Sequence, residues 1–500
     1  MEDKRDWIKI KERDTVAVAL KELKKGSIKI VDNRELKLLE DIPFGHKFAI
    51  KNIKENENII KYGEPIGHAV RDIEVGSHVH THNLKTNLDD IISYEYNKIN
   101  SDFIKEDIEK APCFEGYIRE NGKVGVRNDI WIVPTVGCIN MTAKNIAKLA
   151  KNKYGNLVDD IVPIIHDKGC SQLGNDLEST QKILAGIINN PNAGGVLVLS
   201  LGCENNSLEV FKPYLGEINE KRVKFLVIQE IEDEYEKAME LIGELVDYVS
   251  GFKRESVGID KLTVGFKCGG SDAFSGITAN VLCGIVNDEI VSYNGATIIT
   301  EVPEMFGAEK ILMARAINER VFNDIVDLIN GYKNYFKKYN QTIYENPSPG
   351  NKKGGISTLE DKSLGCIQKG GTSPVVGVLD FGDSITDSGF YLLNGPGNDQ
   401  ISSTNLIASG ATIIVFTTGR GNPFGTPVPT IKVASNSSLY NHKKHWIDFN
   451  AGEILEEMTF EEAKNKFMKE LIDIASGIVK TKNEEYGFKD ISIFKDGVIL

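Results

Sequence analysis

Three histidines alternate within six residues of this chain: His78, His80 and His82, in the run Gly-Ser-His-Val-His-Thr-His-Asn. In an extended strand, side chains of period two share a face, so the spacing predicts three imidazoles projecting together. Neutral imidazole is the commonest protein ligand for divalent transition metals. The chain has only 8 histidines in 500 residues, which makes this clustering informative. A polar strand face bonded to backbone or water is the plainer alternative. The pattern favours a site for a metal or an anionic substrate.

A second set of candidates lies at the ends of apolar runs. Val136 leads to Gly137-Cys138, and Ile165 to His166-Asp167-Lys168-Gly169-Cys170. Leu201 leads to Gly202-Cys203-Glu204-Asn205-Asn206, and Phe266 to Lys267-Cys268-Gly269-Gly270-Ser271-Asp272. In open α/β sheets, ligands bind beyond the carboxyl ends of the strands. Glycine there lets backbone N–H groups approach an anion, and thiolates can bind iron or zinc. A single cysteine at such a place is usually a small buried hydrophobe, but four Gly/Cys strand ends could share one rim. Cys138, Cys170, Cys203 and Cys268 are therefore a rival metal site to the histidines. None shows the Cys-x-x-Cys pairing of zinc ribbons.

His166 and Lys168 place two titratable groups at one strand end, where burial and mutual charge can tune a general base. Arg127, in Gly-Val-Arg-Asn-Asp, could grip a carboxylate through two parallel hydrogen bonds, with Asn128 beside it. Surface pairing and helix capping are the plainer roles for these groups.

The elements that would position these residues follow from the hydrophobic pattern. Residues 1–88 read as a small β-rich module, with apolar segments split by turns at Pro43-Phe44-Gly45 and Tyr62-Gly63-Glu64-Pro65. Residues 89–112 are polar and read as a linker. From residue 113, strand-like runs at 130–136, 161–165, 196–201, 223–228, 262–266 and 296–300 alternate with helical patterns. This predicts a mostly parallel α/β sheet over 113–345. The helical spacing of Phe322, Ile325, Leu328, Ile329, Tyr332 and Phe336 reads as an amphipathic packing helix. Residues 346–373, rich in glycine and lysine, read as a connection, and 374–500 as a second α/β unit.

Composition bounds the partners. A net charge of −13 argues against a nucleic-acid or anionic-membrane surface. No transmembrane-length stretch and no leader-like run appears, so a cytosolic protein is expected. Seven scattered cysteines do not suggest a disulfide framework. No Gly-x-Gly-x-x-Gly follows a strand, which disfavours a dinucleotide enzyme.

Taken together, several motifs resemble the altronate/galactarate dehydratase family of sugar-acid dehydratases. They are Gly-His-Lys-Phe-Ala at 45–49, Tyr-Gly-Glu-Pro-Ile-Gly at 62–67, the histidine run at 78–83 and Gly-Tyr-Ile-Arg-Glu-Asn-Gly-Lys-Val-Gly-Val-Arg-Asn at 116–128. Gly-Cys-Ser-Gln-Leu-Gly at 169–174, Gly-Cys-Glu-Asn-Asn at 202–206 and Lys-Cys-Gly-Gly-Ser-Asp at 267–272 continue the match, as does Asn-Pro-Ser-Pro-Gly-Asn-Lys at 346–352. The resemblance implies a β-clip (SAF-like) N-terminal domain followed by an α/β Rossmann-like body of two units. It implies a hydro-lyase taking D-altronate to 2-dehydro-3-deoxy-D-gluconate and water, with iron(II), or manganese in its place, as cofactor. Galactarate dehydration, sulfite loss from sulfolactate and a non-catalytic sugar-acid binder are the alternatives. A small sugar acid is the expected partner, and a homo-oligomer is an expectation. On this reading His166 or Lys168 removes the C2 proton, and Asp272 or Glu204 assists the leaving hydroxyl. Arg127, Asn128, Gln172, Gly269, Gly270 and Ser271 hold the substrate. His78, His80 and His82 hold the metal.

Overall fold

The computed structural model describes residues 6–88, 91–97 and 103–500. The N-terminal module is built on a four-stranded antiparallel sheet: β1 (Trp7–Ile8), β2 (Val16–Ala19), β3 (Lys47–Ala49) and β4 (His78–Val79), adjacent in that order. Hairpins joined by tight turns flank it, pairing Ile28–Val31 with Arg34–Lys37 and Asn58–Lys61 with Glu64–Ala69. One side of this sheet closes over its own core of Ala17, Leu36, Ile42 and Phe48. Residues of the other side, among them Val16, Ala49 and Val79, join the main core of the body, as does Ile66 of the second hairpin.

The body contains two parallel sheets. In the first, β5 (Asp129–Pro134) lies between β6 (Ile161–Pro163) and β7 (Ala193–Ser200), and β8 (Val223–Val227) flanks β7. Helices α1 (Asn140–Tyr154) and α2 (Gly174–Ile188) cross between them, and α3 (Glu234–Val249) follows β8. All six residues of β5 and all eight of β7 are buried, as expected of strands covered on both faces. The chain enters and leaves this unit through Cys113–Ile118 and Arg254–Gly258, which pair antiparallel.

The second sheet has seven parallel strands. Its members are β9 (Thr263–Cys268), β10 (Ala296–Ile299), β11 (Val375–Leu379), β12 (Gly389–Leu393), β13 (Ile413–Thr418), β14 (Thr430–Ala434) and β15 (Phe449–Asn450). They lie in the order β11-β12-β10-β9-β13-β14-β15. Helix α4 (Ala279–Ser292) follows β9, the amphipathic α5 (Glu319–Lys338) forms as its spacing predicts, and α7 (Asp399–Ala408) follows β12. The two sheets share a core in which Trp131, Val198, Ile298 and Leu406 meet. The α/β class and the strands expected between residues 130 and 300 are present.

Two expectations are corrected. The sheets do not divide at 346–373, because β9 and β10 join the strands that follow that segment. Nor is 346–373 a solvated connection: helix α6 (Leu359–Cys366) is buried at every residue. Its glycines serve close packing instead. A Cβ on Gly276 would lie 2.5 Å from Gly365 Cα, and one on Gly284 would lie 2.9 Å from Gly371 Cα. Of the polar stretch 89–112, the described residues Tyr94, Tyr96 and Phe103 pack against the body core.

Candidate functional site

The carboxyl end of β9 carries the densest set of chemically capable groups. Cys268 ends that strand, and Cys366 ends α6. Their sulfurs are 3.5 Å apart. Glu304 Oε2 accepts from Cys268 Sγ at 3.2 Å and from Cys366 Sγ at 3.1 Å. Among the described residues, Cys268, Glu304 and Cys366 form the one set of three His, Cys, Asp or Glu ligand atoms lying within 4.8 Å of one another. Lys369 Nζ donates to Cys268 Sγ at 3.0 Å, and Lys362 Nζ pairs with Glu304 at 2.7 Å. Burial raises the Glu304 carboxyl, but Lys362 and Lys369 outweigh it and hold the group at about 2. Burial likewise works against Lys369, and the thiols and carboxylates around it push its ammonium well above the ordinary lysine range. The set therefore presents a fixed anion and two thiols beside fixed cations. Glu301, next to this set, has φ +73°, a conformation costly for a residue with a side chain. Its Oε2 accepts from Cys268 N at 2.8 Å, which locks the strand end.

Two sulfurs and one carboxylate are soft-to-borderline donors. They suit iron or zinc better than manganese, which prefers oxygen ligands.

The N-terminal module closes on the body at residues 353–361, at the start of α6. His46, missed in the sequence, joins the histidine run. The His46 ring lies 5.1 Å from His78 and 4.7 Å from His80, and His78 lies 5.3 Å from His82. The run is not one strand. It leaves β4 after Val79 and turns, with Asn83 N and Leu84 N donating to His80 O. The turn, not strand alternation, brings the rings together. The Lys353 carbonyl accepts from His46 Nε2 at 3.4 Å, so His46 Nδ1 accepts from His78 Nε2 at 3.0 Å. His80 Nδ1 meets Ser357 Oγ at 2.9 Å. Burial, with neighbouring imidazoles and Lys47, lowers His78 to about 4 and His80 to about 3. Both are neutral at physiological pH.

The loop after β9 lies beside this face. Asn351 Nδ2 donates to Ser271 O at 2.7 Å, and Ala273 N to Gly354 O at 2.9 Å. Ser271 Oγ is buried with no hydrogen-bond partner. Gly270, with φ +66°, accepts at its carbonyl from Gly419 N and Arg420 N. Arg420 is exposed, and among the described residues its guanidinium has no hydrogen-bond or ion-pair partner. Its signal in the sequence was the strand end Thr417-Thr418-Gly419-Arg420-Gly421.

Several expected site residues are engaged elsewhere. Arg127 is buried and bidentate to Glu484 at 2.7 and 3.0 Å, and it also donates to the Val126 and Ile474 carbonyls. Four of its five N–H donors are taken, so the paired grip expected on a substrate carboxylate is not available. Asn128 accepts from Arg119 and donates to Val249 O. Gln172 accepts from Gly169 N, holding its own loop. His166 donates from Nε2 to Pro134 O at 2.7 Å and accepts at Nδ1 from Lys168 N at 3.2 Å, so neither nitrogen is free to act as a base. Lys168 Nζ pairs with Asp167 at 2.8 Å. Glu204 accepts from Ser200, Thr135 and the amides of Leu201 and Gly202. Asp272 accepts from Ser275, Ser435, Asn436 and Phe274 N. Both carboxylates clasp loops. The four cysteines do not share a rim either: Cys138, Cys170 and Cys203 are exposed at the first sheet, and Cys268 is buried at the second.

Comparison with known proteins agrees with this division. Residues 5–87 match the altronate/galactarate dehydratase SAF domain. Residues 116–250 match the second domain of D-galactarate dehydratase/altronate hydrolase, and 259–499 the C-terminal domain of D-galactarate/altronate dehydratase. The chain is 50% identical to altronate dehydratase of Bacillus subtilis, over 99% of this chain and 100% of that one. It is 44% identical to altronate dehydratase of Escherichia coli, over 99% and 100%. It is 34% identical to the L-threo-forming galactarate dehydratase of Escherichia coli, over 96% and 95%. With an SAF module, a second domain and a C-terminal domain all present in order, this chain belongs to the D-galactarate/altronate dehydratase family.

Proposed function

We propose that the protein is a hydro-lyase that converts D-altronate to 2-dehydro-3-deoxy-D-gluconate and water. The observation that carries this reading is the full-length match to two altronate dehydratases, at 50% and 44% identity. The structure supplies groups suited to the task.

The C2 proton of a sugar acid is weakly acidic, and negative charge grows on its carboxylate as a base removes it. Arg420 and the backbone of Gly269–Ser271 would hold that carboxylate, since Arg420 has donors to spare and the glycines admit close approach. Ser271 Oγ, lacking an internal partner, would bond a substrate hydroxyl. The imidazoles of His78 and His80, kept neutral by burial, would handle protons, because a base must be unprotonated at the working pH. Ser357, which accepts from Lys47 Nζ at 2.7 Å, orients His80. Cys268, Glu304 and Cys366 would hold a divalent metal, which supplies Lewis acidity when bound. Iron(II) suits that donor set better than manganese. A cytosolic location and a homo-oligomeric state belong to the same reading, and light scattering on the purified protein checks the latter. Among the described residues no helix is long and apolar enough to cross a membrane.

The test is an anaerobic assay with D-altronate and galactarate, with and without added iron(II), detecting the 2-keto-3-deoxy product. Iron-stimulated turnover of D-altronate is expected. Turnover of galactarate alone, or no turnover of either acid by metal-replete protein, overturns the reading.

A further inference from the structure

The first sheet holds a group of thiols that the proposed reaction does not use. Cys138, Cys170 and Cys203 follow the carboxyl ends of β5, β6 and β7, which are adjacent in the order β6-β5-β7. Neighbouring strands lie about 4.8 Å apart, so their ends open onto one short stretch of rim. All three cysteines are exposed, whereas Cys268, Cys283 and Cys366 are buried.

The loops that carry them are locked together. Gly137 N donates to Lys168 O at 2.9 Å, and Asn206 N to Gly169 O at 3.1 Å. Ser171 N donates to Asn205 Oδ1 at 2.8 Å, and Asn206 Nδ2 to Thr135 O at 3.0 Å. Each cysteine follows a glycine that permits this packing. A Cβ on Gly137 would lie 2.8 Å from His166 O, one on Gly169 would lie 2.0 Å from Thr135 O, and one on Gly202 would lie 2.9 Å from Gln229 Oε1. Gly169 and Gly202 also have φ of +99° and +120°. Three Gly-Cys pairs on three interlocked loops form a built arrangement. Gln229 Nε2 adds a donor to Cys203 Sγ at 3.6 Å. Asn206 Oδ1 is buried there without a partner.

The spacing discriminates among occupants. Two sulfurs on one ion stand at most roughly 4.6 Å apart, twice a metal–sulfur bond of ~2.3 Å. The three sulfurs are not all within 4.8 Å of one another, since they form no such set. A single ion therefore does not join them as they stand. A cluster in which each thiolate binds a different iron spans a wider triangle.

We propose that Cys138, Cys170 and Cys203 hold a [4Fe–4S] cluster through three thiolates, with one iron left without a protein ligand. Three thiols lose their protons as their sulfurs bind iron. Two iron(II), two iron(III) and four sulfide ions, all supplied from solution, are the co-reactants, so the assembled core needs no further oxidant, and the thiol protons pass to solvent. The site is separate from the Cys268–Glu304–Cys366 centre and does not rest on the altronate reading, because iron and sulfide are counted whether or not an acid is turned over.

The test uses full-length protein reconstituted without oxygen with iron(II) and iron(III) in equal amounts, sulfide and a thiol reductant, then desalted. Expected are bound iron and acid-labile sulfide in equal amounts, after allowing for iron at the second centre. A visible charge-transfer band bleached by dithionite is also expected. Replacing Cys138, Cys170 and Cys203 together by serine should abolish sulfide and band, while Cys113→Ser keeps both. A second measurement needs no variant: in the loaded protein, alkylation followed by peptide mapping should find these three thiols protected and Cys113 labelled. Iron without sulfide, sulfide retained in the triple variant, or all three thiols alkylated at the free-protein rate overturns the proposal.

Discussion

Lys47 of the N-terminal module and Asp361 of the body lie 2.8 Å apart with neither side chain exposed to solvent. Lys61, also from the module, reaches the other oxygen of Asp361 at 2.9 Å. Lys47 further donates to the Gly355 carbonyl and Ser357 Oγ. Burial raises the Asp361 carboxyl, but the two ammonium groups outweigh it and hold it well below the ordinary value of 3.8. One carboxylate thus joins the histidine-bearing module to α6, which carries Cys366.

Asp361→Ala should leave two buried ammonium groups facing each other. Breaking a buried pair this way costs about 3–5 kcal/mol. Denaturant unfolding should show that loss, and activity should fall as the module loosens. Asp361 has a depressed folded value, so its contribution is complete above the ordinary carboxyl value of 3.8 and is withdrawn as pH falls below it. The Asp361→Ala variant should therefore lose less stability than the parent on acidification through that range. Equal acid sensitivity in both proteins would contradict the argument.

Arg420 and Arg127 should separate cleanly. Arg420→Gln is expected to keep the unfolding midpoint and to lower kcat/KM by about 10–100-fold, the loss of a charge-assisted pair worth roughly 1.5–3 kcal/mol. Arg127→Gln strands Glu484 and two carbonyls, so its main effect should be on stability, by about 3–5 kcal/mol. The reverse assignment, Arg420 structural and Arg127 specific to substrate affinity, would be visible in the same two experiments.

Metal removal should test the buried centre. A chelator applied under argon should abolish dehydration, and iron(II) should restore it. Glu304→Gln and Cys366→Ser should each lower the iron retained after desalting. A His78→Gln, His80→Gln double variant should keep the iron but lower kcat by about 10²–10⁴-fold, the usual range for losing a general acid or base. Iron lost with the histidines and kept with Glu304→Gln would return the metal to the histidine run.

Asp129, at the start of β5, offers a pH test within the first sheet. Burial foremost, then Asp160, raises its carboxyl to about 7 against the pull of Lys489. In the folded chain it keeps its proton between 3.8 and about 7, while the unfolded chain releases it. Stability from this group therefore falls as pH rises through that window. Asp129→Asn should flatten that part of the melting-temperature profile, an effect on the order of 1–4 kcal/mol.

The parallel strands were legible because buried strands leave continuous apolar runs, and Val196–Leu199 or Ile413–Phe416 admit few other readings. The glycines and cysteines at their ends were legible as types. Residues 346–373 were misread because glycine and lysine have the composition of a solvated connection. Here the glycines permit backbone contact, and Lys362 and Lys369 are buried against carboxylates and thiols. Nothing in one dimension distinguishes those uses.

The chain alone therefore determined the order of modules, the α/β class of the body, the family and the chemical kinds at each strand end, since these follow from local pattern and motif. Tertiary structure alone decided which groups meet. It satisfied Arg127, His166, Glu204 and Asp272 with partners drawn from other segments of the chain. It set Cys366 beside Cys268, 98 positions away, and left Arg420 free. The reason is physical: a polar side chain is available for chemistry only if folding has not already supplied its hydrogen bonds, and those partners are distant in sequence.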